Sequence, residues 1–219
     1  MSPILMRQAV ISIAAIVVSI AAAPGATEEG SGLAALQALS SALQGGSAWQ
    51  ADYNQEYIAA GMGAGDEVSG VVVVAWPDRA LFRSADPTTQ IMGLEDRLVR
   101  LVDLEVPSCD EHLLDDDEWA RVPLAAVLDP RSAVDRFTVL DHGERGFILV
   151  PREPGGVDHV EVILGGGDLP DEVVVVDPQG ATNRLRFTGW HPVDGPPDGQ
   201  WLPEPPPGLE CVGDDGGGF

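Results

Sequence analysis

The chain has 219 residues, with 35 acidic side chains and only 12 basic ones, and its formal net charge is −23. This charge repels nucleic-acid phosphates and anionic headgroups, so it excludes a nucleic-acid-binding protein and disfavours spontaneous docking on an acidic membrane. A hydrophobic content of 44% is enough for a folded core, and the length suits one domain. The 26 glycines and 18 prolines favour many turns over long helices.

The N-terminal segment has the features of a cleavable export signal. Arg7 is the only charged residue before Glu28, residues 9–23 are apolar almost throughout, and small residues follow as far as Ala26. This order is typical of a secretory signal peptide. As a helix, the apolar run would rise about 22 Å, short of a bilayer core of about 30 Å, so cleavage is favoured over an uncleaved anchor. We therefore predict a signal peptide at residues 1–26.

The mature chain contains two cysteines, Cys109 and Cys211. An exported compartment permits disulfide bonds, and a bond between these two would tie the middle of the chain to its C-terminal end. Two separate thiols are the alternative, and we favour the disulfide.

The mature chain begins with a predicted helix and continues with strands. Leucines recur at three- and four-residue steps over residues 31–46, which end in a glycine pair, and this pattern predicts an amphipathic helix. The period of the hydrophobic pattern then changes to two. Apolar or aromatic residues alternate with polar ones over residues 49–57, which predicts a half-buried strand.

Further strand candidates follow at short intervals, separated by turn signals. They are residues 71–76, 79–83, 90–93, 97–104, 136–141, 146–151, 157–164, 172–176 and 183–190. About ten short strands at such spacing indicate a largely antiparallel sheet that is curved or closed into a barrel. Residues 118–128 interrupt the series with apolar side chains at roughly helical spacing, so we predict a short or broken helix there.

The sequence offers little support for catalysis. It has no Gly-x-Ser-x-Gly elbow, no phosphate-binding glycine loop and no His-Glu-x-x-His. The best metal candidate is His112 with Asp115, Asp116, Asp117 and Glu118, but this run lacks the spaced ligands and the glycine of a calcium loop. A solvated acidic loop that favours a helix N-terminus at Glu118 is the preferred interpretation. We expect no enzyme, no bound metal and no cofactor.

A curved sheet with apolar strands has a concave face. If that face stays apolar and short helices cover it, the result is a cavity for acyl chains or an apolar segment, with affinity that comes mainly from area removed from water. The alternative is that the same side chains simply fill the interior, and the pattern alone favours this alternative.

A series of landmarks follows along the mature chain. After the leading helix come an aromatic-x-Ala-x-aromatic-x-Gln strand, a Gly- and Val-rich strand that runs into a proline, an aromatic–arginine pair, a Pro-Leu helical segment, an Asp-x-x-Gly turn and a proline-rich close. Here these are residues 49–55, 70–77, 82–83, 123–128, 177–180 and 203–212. In order and spacing they resemble the LolA-type outer-membrane lipoprotein carrier family, from about residue 33 to residue 212.

The resemblance implies a mainly β fold with a few helices. This fold is an incomplete, half-open antiparallel β-barrel of about 10–11 strands, whose apolar concave face is covered by an N-terminal helix and a short lid helix. It implies one half-barrel domain at residues 27–212 and a flexible tail at residues 213–219. Many family members carry a basic residue before the strand-ending proline, where this chain has Trp76. The acyl-chain cavity and lid would be formed by Leu36, Leu39, Leu43, Trp49, Tyr53, Val72, Val74, Phe82, Arg83, Trp119, Leu124, Val127 and Leu128.

Members of this family take acylated lipoproteins from an inner-membrane ATP-driven transporter and pass them to an acceptor at the outer membrane. The resemblance therefore implies a periplasmic, monomeric carrier with the same partners, which is not an enzyme and binds no nucleic acid. Half-barrels of this kind also serve as sensors, so the alternative is a lipid- or lipoprotein-sensing regulatory module of the cell envelope.

Overall fold

The structure, a computed structural model, describes residues 30–85, 89–115, 118–119 and 130–213, except for the side chains of residues 130–132. Its elements are α1 (Gly30–Gln44), β1 (Ala48–Ile58), β2 (Asp66–Ala75), β3 (Arg79–Ser84), β4 (Gln90–Glu95), β5 (Leu98–Asp103), β6 (Ser108–Leu113), α2 (Pro130–Arg136), β7 (Phe137–Asp141), β8 (Gly146–Pro151), β9 (His159–Leu164), a 3₁₀ turn (Gly166–Asp168), β10 (Pro170–Val176), β11 (Thr182–Val193) and β12 (Val212–Gly213).

Some sequence predictions fall outside the described residues. These are the signal peptide at residues 1–26, Asp116 and Asp117 of the metal candidate, the lid residues Leu124, Val127 and Leu128, and the tail beyond Gly213. Within the described ranges, no helix is long and apolar enough to cross a membrane.

All the strands in the described residues belong to one sheet of twelve strands, in the order β12-β6-β5-β4-β3-β2-β1-β11-β10-β9-β8-β7. Neighbours are antiparallel, except that the two-residue β12 runs parallel to β6. The edge strands β12 and β7 do not pair with each other, so the sheet is not closed into a barrel. The predicted mainly β, half-open antiparallel fold with an N-terminal helix is therefore confirmed.

The sheet consists of two meanders that meet at a seam. Strands β1 to β6 follow one another in space, as do β7 to β11, and β1 pairs with β11 to join the two sets. At this seam Tyr53 of β1 lies between Gly70 of β2 and Phe187 of β11. The seam places side chains from both ends of the chain on one continuous face.

The strands bury apolar side chains on both faces. Because successive side chains of a strand point to opposite faces, each strand supplies an inner and an outer set. The inner set packs with α1, and its strand members include Ala51, Tyr53, Val72, Phe147 and Val160. The smaller outer set comprises Ala48, Val73, Ala75, Leu81 and Trp201, with Ile91 and Val193 beside them.

Helix α1 lies against the inner face, at β7, β8 and the 3₁₀ turn. Leu36, Leu39 and Leu43 are buried in the inner cluster, as the leucine spacing predicts. The start of the helix sits directly on β7. The N–H of Gly32, which has no partner within the helix, donates to the Asp141 carboxylate at 2.5 Å. This bond anchors the helix N-terminus to the edge strand.

Three elements were absent from the sequence prediction, and one of them is the two-residue β12. Strand β6 was not predicted, because its side chains are mostly polar and only Cys109 is buried. Helix α2 was also not predicted. It is short and begins at Pro130, in the first helical turn, where the missing N–H of proline costs nothing. In the predicted helix at residues 118–128, Glu118 and Trp119 are helical, and the rest lies outside the described residues.

The segment after β11 crosses the outer face of the sheet and reaches β6. We call residues 194–211 the outer belt. It ends at a disulfide between Cys211 and Cys109, whose Cα atoms are 4.5 Å apart, and this is the pairing that the sequence favoured. The belt connects the two distant ends of the first meander.

Candidate functional site

The inner face of β3, β4 and β5 carries a row of apolar side chains that is only partly buried. Phe82, Met92 and Leu101 are opposite one another in the strand register. Val99 lies on the same face of β5, opposite the buried Leu94. We call Phe82, Met92, Val99 and Leu101 the inner row. Each keeps part of its surface exposed to solvent, although it belongs to an apolar face.

The other half of the inner face is filled. Leu36 and Leu39 of α1 and Phe147, Leu149 and Val160 of the sheet have no exposed surface. These side chains are therefore covered by the helix and by one another. The inner face is therefore divided into a half that α1 fills and a half, at the inner row, that it does not.

Tyr53 and Phe82 form an aromatic pair at the boundary between these halves. Their ring centroids are 5.4 Å apart at 77°, an edge-to-face arrangement that aromatic rings favour. Burial raises the pKa of Tyr53 to about 12, because the phenolate would lose its hydration. The floor beside the inner row is thus a poorly hydrated, apolar environment.

Polar side chains bound the inner face near the β3–β4 and β1–β2 turns. The Ser84 hydroxyl accepts hydrogen bonds from the backbone N–H groups of Thr89 and Gln90, both at 3.0 Å. Across the seam, the Gln55 amide donates to Asn183 Oδ1 at 3.0 Å. These groups satisfy one another. They form a polar rim around an apolar floor, the usual construction of a site for an amphipathic ligand.

The acidic run that follows β6 starts a helical turn at Glu118. Asp115 Oδ1 accepts from the Glu118 N–H at 2.7 Å, and Glu118 Oε2 accepts from the Asp115 N–H at 2.9 Å. This reciprocal pair is a capping box. His112 Nε2 lies 3.0 Å from each carboxylate oxygen of Glu118 and joins the turn to β6. Trp119, next in the chain, packs on the inner cluster.

The arrangement agrees with the interpretation of the acidic run as a helix start. In the part of the chain that the structure describes, no group of three His, Cys, Asp or Glu side chains is placed to hold a metal ion.

The structure brings most of the predicted site residues together. Nine of them belong to one apolar cluster. Six are buried, namely Leu36, Leu39, Leu43, Tyr53, Val72 and Val74, and three are partly buried, namely Trp49, Phe82 and Trp119.

Arg83 is not part of this cluster. Arg83 follows Phe82 in an extended strand, so it points to the opposite, outer face, where its guanidinium donates to Asp198 at 2.5 Å. Trp76 lies in the β2–β3 turn with 43% of its surface exposed and so stands apart from the inner cluster.

Sequence reasoning missed three of the four inner-row residues, Met92, Val99 and Leu101. Apolar residues are frequent in the sequences of β4 (QIMGLE) and β5 (LVRLVD), so these strands could be predicted. The strand register was needed to show which alternate side chains face inward. The apolar residues Val173, Val175 and Leu185 on the other side of the seam were missed for the same reason.

No protein-family model and no curated protein sequence matches the chain. Among solved structures, the chain is similar to the complex of Pseudomonas aeruginosa MucA/MucB, at 15% identity and a TM-score of 0.44. That match covers 73% of this chain and 56% of the matched chain, so this chain spans just over half the length of the matched chain. It is also similar to a LolA superfamily protein from Nitrosomonas europaea, at 10% identity and a TM-score of 0.43, covering 79% and 98% of the two chains.

A third similar structure is an uncharacterized conserved protein from Thermus thermophilus. The identity is 13%, the TM-score is 0.48, and the match covers 82% of this chain and 97% of that one. At these identities the likeness is one of fold.

Proposed function

We propose that the protein is a non-enzymatic carrier that binds the acyl chains of lipoproteins against the inner face of its open sheet and passes them toward the outer membrane. One observation carries the proposal. In the inner row, Phe82 and Val99 pack on the core, and Met92 and Leu101 lie beside them in the strand register. All four side chains are only partly buried, and the main contacts of α1 are with other strands. The landmark resemblance to LolA-type carriers supports the same ligand class.

An acyl chain fits the chemistry of this face because it needs no hydrogen-bond partner. Each buried methylene contributes about 0.8 kcal/mol, so covering eight of them would contribute roughly 6 kcal/mol before the costs of association. Such binding is non-directional, so it does not require one particular acyl chain, and a longer chain gains more from burial. A headgroup or peptide attached to the chain would meet the polar rim near Gln55 and Ser84.

On this proposal the protein works in the periplasm as a monomer. Its partners are acylated lipoproteins, an inner-membrane lipoprotein-releasing transporter and an outer-membrane acceptor. The net charge of −23 suits such a shuttle, because repulsion from anionic headgroups keeps a protein with an exposed apolar row from adhering to either membrane.

A matched pair of variants in β5 tests the ligand site. Leu101 faces inward and Leu98 faces outward, and both are partly buried. We expect Leu101→Gln to weaken binding of a fluorescent dipalmitoyl lipopeptide by at least about tenfold, through lost apolar contact and a buried amide. Leu98→Gln should leave the affinity unchanged. Equal effects of the two variants, or no lipopeptide binding by the unaltered protein, contradict the proposed site.

The transport step needs a separate assay. Spheroplasts that contain a lipidated protein are incubated with the purified mature chain, and the released lipoprotein is measured by immunoblotting. Release by the unaltered protein and by Leu98→Gln, but not by Leu101→Gln, is the expected result. If the protein binds lipopeptide yet releases none, the carrier role fails, and a sensing module becomes the better explanation.

A further inference from the structure

The outer belt crosses the strands of the first meander in succession. At β3, the Arg83 guanidinium donates to Asp198 at 2.5 Å, and this bond holds the pKa of the Asp198 carboxyl below its usual value. Further along the belt, Trp201 is 8% exposed and packs in the outer cluster with Val73 and Leu81. The belt is therefore attached to the sheet at Asp198 and at Trp201.

At β4 the belt is in direct contact with the backbone. Gly93 has no side chain, and a Cβ there would lie 2.3 Å from the Trp201 carbonyl oxygen and 2.6 Å from Pro203 Cδ. Only glycine allows this approach. Leu202 is partly buried and Pro203 is buried, so the belt covers Gly93 in the middle of β4.

At β5 and β6 a single arginine joins the belt to two strands. Arg100 Nη1 donates to the Pro203 carbonyl at 2.8 Å, and its Nε donates to Glu111 of β6 at 2.5 Å. Only 21% of the Arg100 side chain is exposed. Because a guanidinium presents several donors in a fixed plane, this contact sets the positions of β5, β6 and the belt together.

Beyond this point the belt is fixed covalently. Cys211 is bonded to Cys109, which is 3% exposed in β6. Immediately afterwards, Val212 and Gly213 form β12 and pair with β6. The belt thus begins at the end of β11, beside β1, and ends at the far edge of the first meander.

The two halves of the sheet are supported from opposite sides. Helix α1 packs on the inner face of β7 and β8, whereas the belt packs on the outer face of β3 to β6. The inner row lies in the half that has the belt and lacks the helix. In the described ranges, the main contacts of α1 are with β7, β8 and the 3₁₀ turn, whereas the belt contacts β3 to β6.

We propose that the outer belt, fixed by the Cys109–Cys211 disulfide, acts as a clamp that stabilises the arrangement of β3 to β6. Reduction of this disulfide then allows β3 to β6 to open locally. A dithiol reductant supplies two electrons and two protons, which convert the disulfide into two thiols, while its own thiols become a disulfide. Cys211 is partly exposed, and attack by the reductant occurs on its side. Release loosens the inner row but not the half packed by α1.

Hydrogen exchange measured by mass spectrometry tests the clamp on the mature chain, oxidised and after reduction with dithiothreitol. We expect exchange in the belt and in β3 to β6 to accelerate by about 30-fold or more, the lower end of the effect that a disulfide has on an opening equilibrium. Exchange in β8 to β10 should change by less than about twofold. Acceleration confined to residues 209–213 overturns the proposal, and so does an equal acceleration in every strand.

A second comparison leaves the disulfide intact. Trp201→Ala removes the apolar contact in the middle of the belt, and Leu209→Ala removes a side chain that is 40% exposed on the same belt. Trp201→Ala should accelerate exchange in β3 and β4, whereas Leu209→Ala should leave it unchanged. If β3 and β4 exchange normally in Trp201→Ala, the belt does not support the sheet. Neither comparison depends on the ligand, so a failure of the acyl-carrier proposal would leave these results unaffected.

Discussion

Replacing Gly32 by alanine tests how closely α1 sits on the edge strand β7. Inside a helix this change ordinarily stabilises a protein by about 1 kcal/mol, since alanine is the better helix former. At Gly32, however, a Cβ would lie 2.5 Å from the Leu140 carbonyl oxygen and 2.8 Å from its carbon. These are backbone atoms of a strand, so they cannot rotate away and the helix itself must move.

The size of the effect follows from two costs and one gain. Overpacking costs about 1–3 kcal/mol. Moving the helix also stretches the 2.5 Å bond from the Gly32 N–H to Asp141, and a hydrogen bond to a charged group contributes about 1.5–3 kcal/mol. After the gain in helix propensity, we expect Gly32→Ala to lower the free energy of unfolding by about 2–4 kcal/mol. For a domain of this length, the Tm should fall by about 2–4 °C for each kcal/mol.

The assay is thermal unfolding of the mature chain followed by circular dichroism, with Gly30→Ala as the matched control. Gly30 lies at the start of the same helix, and its Cβ would meet nothing within 4 Å. Its replacement should change stability by less than about 1 kcal/mol. A Gly32→Ala protein that is as stable as the parent, or more stable, would refute the close approach of α1 to β7 and the role of Asp141 as its anchor.

Two further predictions concern buried groups. Because the pKa of Tyr53 is raised to about 12 while an unfolded tyrosine titrates near 10, the folded state keeps a proton that the unfolded chain loses. The free energy of unfolding should therefore fall by up to about 3 kcal/mol between pH 10 and pH 12. This decline should appear as a lower urea midpoint at pH 11 than at pH 9, and Tyr53→Phe should remove it. An unchanged decline in Tyr53→Phe would argue against burial of the hydroxyl. The double variant Cys109→Ser, Cys211→Ser opens a loop with a sequence separation of 102 residues and should lower the free energy of unfolding by about 2–5 kcal/mol. Urea midpoints equal to those of the oxidised parent would contradict this expectation.

Local sequence patterns were sufficient for most elements of the fold. The leucine spacing and the Gly45–Gly46 pair predicted α1, which ends at Gln44. The alternation after Trp49 predicted β1, and turn signals separated most of the other strands. These signals are local, because they reflect the period of an element and the residues that can end it.

Strand β6 shows where local patterns fail. Ser108, Asp110, Glu111 and His112 are all polar or charged, which is tolerated because the strand lies near an edge and pairs on its outer side only with the short β12. A polar strand of this kind has no apolar period to detect. Its pairing is determined by β5 and by the disulfide, and both are tertiary interactions.

The sequence grouped most residues of the inner cluster but missed most of the inner row. The buried leucines of α1, together with Tyr53, Val72 and Phe82, were assigned to one apolar face, and the structure places them in one cluster. Arg83 was assigned to the same face although it is adjacent to Phe82 in a strand, where alternation sends it outward. The partial exposure of the inner-row side chains could not be predicted, because it depends on which strands α1 covers.

The seam between β1 and β11 has a consequence for the order of folding. Tyr53 and Phe187, which are opposite each other across it, are more than a hundred residues apart in the chain, whereas every other antiparallel pair among the described strands joins strands that are consecutive in sequence. The hairpins can close early, but the seam requires a long loop to close and should form late. A chain emerges from the ribosome N-terminus first, so the edge of β1 that pairs with β11 stays unpaired until β11 has been synthesised. We expect this interval to be the time at which the chain is most prone to misassembly.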